Sequence, residues 1–166
     1  MLKIYLTNPY ATFPKFGTKQ SACFDVSACL KDQSILVYGP YTEKKIQSAS
    51  DDGVFTLYPQ QRAAVPTGLI LDIPEGYSVR LHPRSGLALK NGVTMTNCEG
   101  IIDSDYVDEL KIILTNTGAD PFSFSHGDRI CQAELVKNLD YTLEQCYTAP
   151  KQKTDRNGGF GSTGVS

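Results

Sequence analysis

No apolar run in this 166-residue chain approaches the ~18 residues that a membrane-spanning helix requires. The first residues, Met1-Leu2-Lys3-Ile4-Tyr5-Leu6, are too few and too polar at their flank for a secretory leader, and read instead as a first strand. Neither a membrane nor export is expected, which leaves the cytoplasm as the expected location. Cysteine pairing is also missing. Cys23, Cys29, Cys98, Cys131 and Cys146 are odd in number and contain no Cys-x-x-Cys, a pattern that suits buried or idle thiols in a reducing compartment. There is no basic block and the formal net charge is -2, so no nucleic-acid partner is expected. A small anion is compatible with that charge, because a few local cations or a metal ion outweigh a weakly negative whole. Histidine is scarce. His82 and His126 sit in no Ser-His-Asp or metal-ligand spacing and read as neutral loop or strand residues.

Internal repeats, low-complexity tracts and sustained helical periodicity are absent too. What the chain does contain is a series of short Val, Ile, Leu, Tyr and Phe-rich runs separated by Gly and Pro. At this length that predicts one domain with a real core, built as an all-β sandwich or barrel. Ser21-Ala22-Cys23-Phe24-Asp25-Val26-Ser27-Ala28 alternates as a half-buried strand with Asp25 toward solvent. Residues 38 to 58 carry Gly-Pro and Asp-Asp-Gly turn signals with Lys44, Lys45, Asp51 and Asp52, and suit a solvated loop or extra hairpin.

Three stretches carry chemistry. Pro83-Arg84-Ser85-Gly86-Leu87-Ala88-Leu89-Lys90 follows a strand and leads into a short helix that Asn91-Gly92 ends. It reads equally as a capped helical turn with a surface arginine, or as a phosphate cradle of Arg84, the Ser85 hydroxyl and free amides. Gly100-Ile101-Ile102-Asp103-Ser104-Asp105-Tyr106 lies between two apolar strands, at 93–96 and 110–114. Two carboxylates and a ring within four residues are compatible with plain turn chemistry, or with an acid held beside an aromatic wall. Gly127-Asp128-Arg129-Ile130-Cys131-Gln132-Ala133-Glu134-Leu135 enters a strand through a turn, with Arg129 expected in a salt bridge. The tail from Lys151 to Gly164 has too few apolar side chains to pack by itself.

Taken together these segments resemble the five motifs of the trimeric dUTPases, in the family's order and over nearly the whole chain. Ser-Ala-Cys-Phe-Asp-Val-Ser-Ala is similar to the first motif, with Cys23 in place of glycine. Arg84-Ser85-Gly86 matches the second, Gly100 to Tyr106 the third, and Gly127 to Gln132 the fourth, with Cys131 as a small-residue replacement. Arg156-Asn157-Gly158-Gly159-Phe160-Gly161-Ser162 resembles the fifth, one residue short between the arginine and the glycines.

The resemblance implies a single-domain, all-β jelly-roll or β-clip barrel over residues 1–150, with one short helix. Residues 38–58 would be a surface insertion, and 151–166 a flexible glycine-rich C-terminal arm. It implies hydrolysis of dUTP to dUMP and pyrophosphate with Mg²⁺, limiting uracil incorporation into DNA and supplying dUMP for thymidylate synthesis. Asp103 would orient and deprotonate the attacking water. Ser85 would donate to the oxygen bridging the α- and β-phosphates, and Arg84 would pair with the outer phosphates beside Gly86. Gln132 would face the phosphates or the metal's waters, and Asp25 would hold further waters of that ion. Main-chain groups around Asn97, Gly100 and Ile102 would read uracil, and Tyr106 would lie on the deoxyribose. Arg156, Phe160, Gly161 and Ser162 would close over the nucleotide. A homotrimer with shared sites is likewise implied. The alternatives are a dCTP deaminase-type relative, for which neither Glu99 nor Glu109 sits in a suitable pattern, and a non-catalytic nucleotide-responsive module.

Overall fold

The computed structural model describes residues 1–40 and 44–155. Chain order gives β1 (Lys3–Leu6), β2 (Lys15–Phe16), β3 (Phe24–Ser27), β4 (Ser34–Tyr38), β5 (Lys44–Ser48), β6 (Val54–Leu57) and β7 (Arg62–Pro66). There follow β8 (Leu69–Asp72), β9 (Tyr77–His82), α1 (Ser85–Asn91), β10 (Val93–Met95), β11 (Gly100–Ile102), β12 (Lys111–Asn116), β13 (Phe122–Ser125) and β14 (Arg129–Lys137). One five-stranded sheet runs β10-β12-β7-β4-β5 and a second β11-β9-β14-β3-β2, while β1 pairs with β8 and β6 with β13. No helix among the described residues is long and apolar enough to cross a membrane.

The period-2 pattern explains the core. Ile112 and Leu114 of β12, Val65 of β7 and Ile35 of β4 face inward from the first sheet. Phe24 and Val26 of β3, Val79 and Leu81 of β9, and Ala133 of β14 face inward from the second, and all belong to one hydrophobic cluster. Each fully buried Ile, Leu or Val contributes about 1.5–3 kcal/mol of transfer free energy. Asn116 is buried among them at no loss of hydrogen bonding. Its Nδ2 donates to the carbonyls of Leu57 (2.9 Å) and Asp120 (2.8 Å), and its Oδ1 accepts from the Gly118 amide.

The first strand and the short helix form where the sequence predicts them. Gly92 ends α1 in the left-handed region at φ 65°, its amide returning to the helix carbonyls. Two readings change. Only the first part of the 38–58 segment is a solvated hairpin, with β5 on the edge of β4. Val54–Leu57 is a core strand: Phe55 and Leu57 are buried, and the Phe55 ring lies 5.6 Å from that of Phe124. Turn residues on both sides hide that four-residue alternation. Gly100–Ile102, which reads as turn punctuation, is strand β11 on the edge of β9.

Cys131 occupies the inner face of β14, fully buried, 3.7 Å from the Met95 Sδ. Burial pushes its thiol up to about 12, against partial relief from hydrogen bonds with the backbone of His82 and Gln132. An unfolded thiol ionises near 9 while the folded one stays protonated, so the folded state holds the extra proton between those values. Stability from this group is therefore complete below pH 9 and is lost as pH rises toward 12, at up to about 1.4 kcal/mol per unit. Denaturant titrations from about pH 8 to about pH 11 should show a shallower alkaline loss in Cys131→Ala than in the parent chain.

Candidate active site

The outer face of the second sheet gathers the polar residues. Asp25 of β3 pairs with Gln132 of β14, and Gln132 pairs with His82 at the end of β9, so three strands bring these side chains to one place. Two residues past His82, Arg84 caps the approach to α1 in extended conformation. Its Nη1 donates to the Arg129 carbonyl at 2.7 Å, and its Nε lies 3.6 Å from Asp25 Oδ1. Arg129 Nη1 donates to Asp25 Oδ2 at 3.0 Å. Gln132 Nε2 donates to the Pro83 carbonyl at 3.2 Å, which fixes the amide beside the start of the Arg84-Ser85-Gly86 segment. Ser85 and Gly86 are exposed in the first turn of α1.

Arg129 lines two cavities. One, of about 250 Å³, is lined by Arg84, Leu87, Phe122 and Asp128; the other, of about 360 Å³, by Phe13, Lys15, Phe16, Asp25 and Ser27. Lys15 is the direct cross-strand partner of Asp25. Sequence reasoning assigns it nothing, because a two-residue strand leaves no periodic signal. A larger cleft of about 530 Å³, between the turn at 31–34 and the hairpin at 48–53, brings together no catalytic set.

The Asp103 segment is pinned at its ends. After β10 the Thr96 amide donates to the Ile113 carbonyl, and before β12 the Leu110 amide donates to the Leu69 carbonyl. Glu109 Oε1 accepts from the Gly68 amide at 2.8 Å, and Thr67 Oγ1 donates to the Leu110 carbonyl at 2.6 Å. Between these anchors β11 rides on β9, and its Gly100 packs directly against Leu81. Asn97 and Asp103 are exposed, Ile102 is half-buried, and the Asp103 carbonyl closes a turn by accepting from the Tyr106 amide. The Tyr106 hydroxyl donates to the Glu109 carbonyl at 3.1 Å. Burial, then the nearby Asp108 and Glu109 charges, raise its phenol above the ordinary value, so it remains neutral.

The structure does not bring Asp103 to the arginine–glutamine strip of its own chain. Ile102 pairs with Val79 while Gln132 pairs with His82, a difference of three residues along β9 and two strands across. That is about 10 Å along and about 10 Å across. Beyond Ile102 the chain runs further from the His82 end. Arg156, Phe160, Gly161 and Ser162 lie outside the described residues.

Fold and strip define an antiparallel β protein with a polar face suited to phosphates. The chain belongs to the dUTPase family, whose profile matches residues 46–164. A deoxyuridine 5'-triphosphate nucleotidohydrolase of Finegoldia magna is 40% identical over 154 residues, 91% of this chain and 90% of that protein. The enzyme of the same name from Brucella melitensis biotype 2 is 47% identical over 120 residues, 72% and 75% of the two chains. Among solved structures, a point mutant of the Staphylococcus bacteriophage 80alpha dUTPase with dUpNHpp has a TM-score of 0.76 at 21% identity, over 99% of both chains. A point mutant of the dUTPase from S. aureus phage phi11, described as coordinating a structural Mg(II) ion, has a TM-score of 0.68 at 20% identity, over 89% and 97%. At those identities the phage structures bear on the fold alone.

Gly100 has a close-approach role. A Cβ there would sit 2.8 Å from Leu81 Cδ1 and 3.0 Å from Leu81 Cβ, nearer than packed carbons tolerate. Gly100→Ala should lift β11 off β9 at a cost of about 1–3 kcal/mol. Amide exchange should then quicken at β11 while the β9–β14 ladder keeps its protection.

Proposed function

We propose that the protein hydrolyses dUTP to dUMP and pyrophosphate in the cytoplasm, lowering the dUTP available to DNA synthesis and providing dUMP for thymidylate. The observation that carries this reading is the convergence of Asp25, Arg84 and Gln132 on one strip, from three well-separated segments of the chain. Each is the residue that its motif singles out. Both candidate glutamates of the deaminase alternative are committed elsewhere: Glu99 to Arg80 and His82, Glu109 to the Gly68 amide.

The chemistry follows from these groups. Asp103 accepts a proton from water as that water's oxygen attacks the α-phosphorus. The bond from the α-phosphorus to the oxygen bridging the α- and β-phosphates breaks, and pyrophosphate leaves. Ser85 donates to that bridging oxygen as charge builds on it, and Arg84 and Gln132 meet the remaining phosphate oxygens from fixed positions. Tyr106, neutral and flat, lies against the deoxyribose where a 2′-hydroxyl would need room.

The donor set fits Mg²⁺ held through water. Among the described residues no group of three or more His, Cys, Asp or Glu side chains could hold a metal. The Asp25 carboxylate and the Gln132 amide stand side by side as cross-strand partners, a donor set that suits an ion which keeps its waters and is bound through one carboxylate plus substrate phosphates. Asp25 and Gln132 would hold it, both through water. When bound, the ion supplies neutralisation of charge on the phosphate oxygens.

The separation of Asp103 from the strip supports a site shared between copies of the chain in a homotrimer. So does the segment from 139 to 147, exposed and without regular secondary structure, whose Leu139, Tyr141 and Leu143 alternate with no core of their own to enter. In this arrangement Asp25, Arg84, Ser85 and Gln132 come from one subunit and the 97–110 segment from a second. The arm comes from a third, with Arg156 on the terminal phosphate and Phe160 over the base, beside Gly161 and Ser162.

Asp103→Asn should lower kcat by at least ~100-fold with little change in nucleotide affinity, measured by pyrophosphate release. Near-normal turnover would remove Asp103 from the chemistry. Inactive Asp103→Asn and Arg84→Met chains, unfolded together and refolded in equal amounts, should recover about a quarter of the parent activity. Random assembly places both intact groups at that share of shared sites, whereas a site within one chain would recover none. Truncation after Thr154 should leave the melting temperature nearly unchanged while sharply reducing dUTP turnover; a truncated chain at full rate would remove the arm from the mechanism.

A further inference from the structure

We propose that Arg129 is a positioning residue. With Asp25 it holds the Arg84 guanidinium in the orientation that receives the outer phosphates. The proposal rests on the reading of Arg84 as a phosphate ligand.

Three contacts form a closed ring. Arg84 reaches the Arg129 carbonyl through Nη1 and Asp25 Oδ1 through Nε, and Asp25 Oδ2 returns to Arg129 Nη1. A guanidinium is a rigid planar fork: the 2.7 Å bond from Nη1 to the Arg129 carbonyl sets its direction, and the 3.6 Å ion pair at Nε favours one rotation about it. The Nη2 edge is left for a ligand. A lysine in place of Arg84, with a single rotatable ammonium, could not be fixed this way. Arg129 serves the ring twice, with its backbone carbonyl on Arg84 and its own guanidinium on Asp25.

The ring does not read as a stability device. The Arg129 side chain is 58% exposed, and ion pairs in water contribute little to folding. Its value lies in removing the freedom of Arg84 before a ligand arrives, which otherwise has to be lost on binding. Without a metal ion, simple charge does not explain Asp25, since a carboxylate beside a polyanion repels it. Held between two arginines, the three groups together carry one net positive charge, and the carboxylate's geometric role remains.

The test measures binding of a non-hydrolysable imido analogue of dUTP by calorimetry in EDTA, so that no metal contributes, with dUMP as the control lacking outer phosphates. Arg84→Met should weaken the analogue about tenfold or more, the range for losing a charged hydrogen bond. Arg129→Met should weaken it about three- to tenfold in the parent chain, and less than about twofold in the Arg84→Met background. Affinity for dUMP should hold within about twofold in all of these. Asp25→Asn should also weaken the analogue, although removal of a negative charge by itself would tighten it. Thermal melts of each variant check that the fold is retained. Arg129→Lys is the charge-preserving comparison, and that variant should not restore the affinity. An equal loss from Arg129→Met in both backgrounds would mean direct phosphate contact and overturn the proposal. So would no loss in the parent chain, or unchanged or tighter binding by Asp25→Asn. If Arg84→Met itself costs nothing, the phosphate-ligand reading falls and this proposal with it.

Discussion

One irregularity in strand pairing places the strip. Along β14, Gln132 pairs with Asp25 and Cys131 with Val26, yet Arg129 rather than Ile130 pairs with Ser27. Ile130 is an extra residue, a bulge, and both it and Cys131 point into the core. In a regular strand Arg129 and Gln132, three residues apart, would face opposite sides of the sheet. The bulge turns both outward. Without it either the arginine would be buried or the glutamine would leave the strip, so the Asp25 ion pairs and the Gln132 contact with Pro83 depend on one inserted residue.

The rest of the ladder protects that arrangement. From Gln132↔His82 to Lys137↔Tyr77, β14 and β9 pair without a break. A slip of one residue would exchange the inward Cys131, Ala133 and Leu135 for Gln132, Glu134 and Val136, burying a charge and an amide. On the outer face His82 lies between two carboxylates, with Nε2 3.2 Å from Glu134 and Nδ1 3.9 Å from Glu99, while Glu99 also meets Arg80 at 3.7 Å. Glu99 stands at the entrance to β11. These contacts link the entrance of the edge strand to the two central strands.

Much of this is legible in the sequence because it is written in local chemistry. Asn91-Gly92 after good helix formers is a stop signal, and Gly92 ends the helix here. Alternation over Phe24–Ser27 announces a strand with Asp25 outward, and its register partner Gln132 is itself a candidate. Other features depend on sequence-distant contacts that no local pattern carries. Gly100–Ile102 looks like a turn because its glycine is needed for Leu81, on another strand. Val54–Leu57 looks like surface because its neighbours are polar, although Phe122 and Phe124 come to cover it. The salt bridge expected of Arg129 forms, but the bulge that gives it a place beside Arg84 has no signature in residues 127–135. The separation of Asp103 from the strip is a matter of register, which a motif cannot express.

That separation also divides two kinds of recognition. Under the proposed reading the strip receives phosphates, which every nucleoside triphosphate carries, so its charges would give affinity without identity. Identity has to come from a surface that presents fixed donors and acceptors at the spacing of a base edge. In the same proposed reading β11 is such a surface. It is the last strand of its sheet, so one side of its backbone pairs with β9 while the alternate N–H and C=O groups point away from the ladder. An open strand edge is usually a liability for aggregation. Here it is three residues long, begins with a glycine that allows close packing, and is followed at once by the Asp103 turn. Under the proposed reading, uracil's acceptor-donor-acceptor edge satisfies those groups, and cytosine leaves them unpaired and desolvated, a penalty larger than added contact area could impose. A backbone edge also resists mutational drift better than side chains do, since substitution at Ile101 or Ile102 leaves its hydrogen-bonding groups in place. The same reading calls for a stiff edge, since a strand free to shift by a fraction of an ångström would re-pair with either base; the close packing of Gly100 on Leu81 and the Leu110 amide bond to Leu69 constrain the segment at either side.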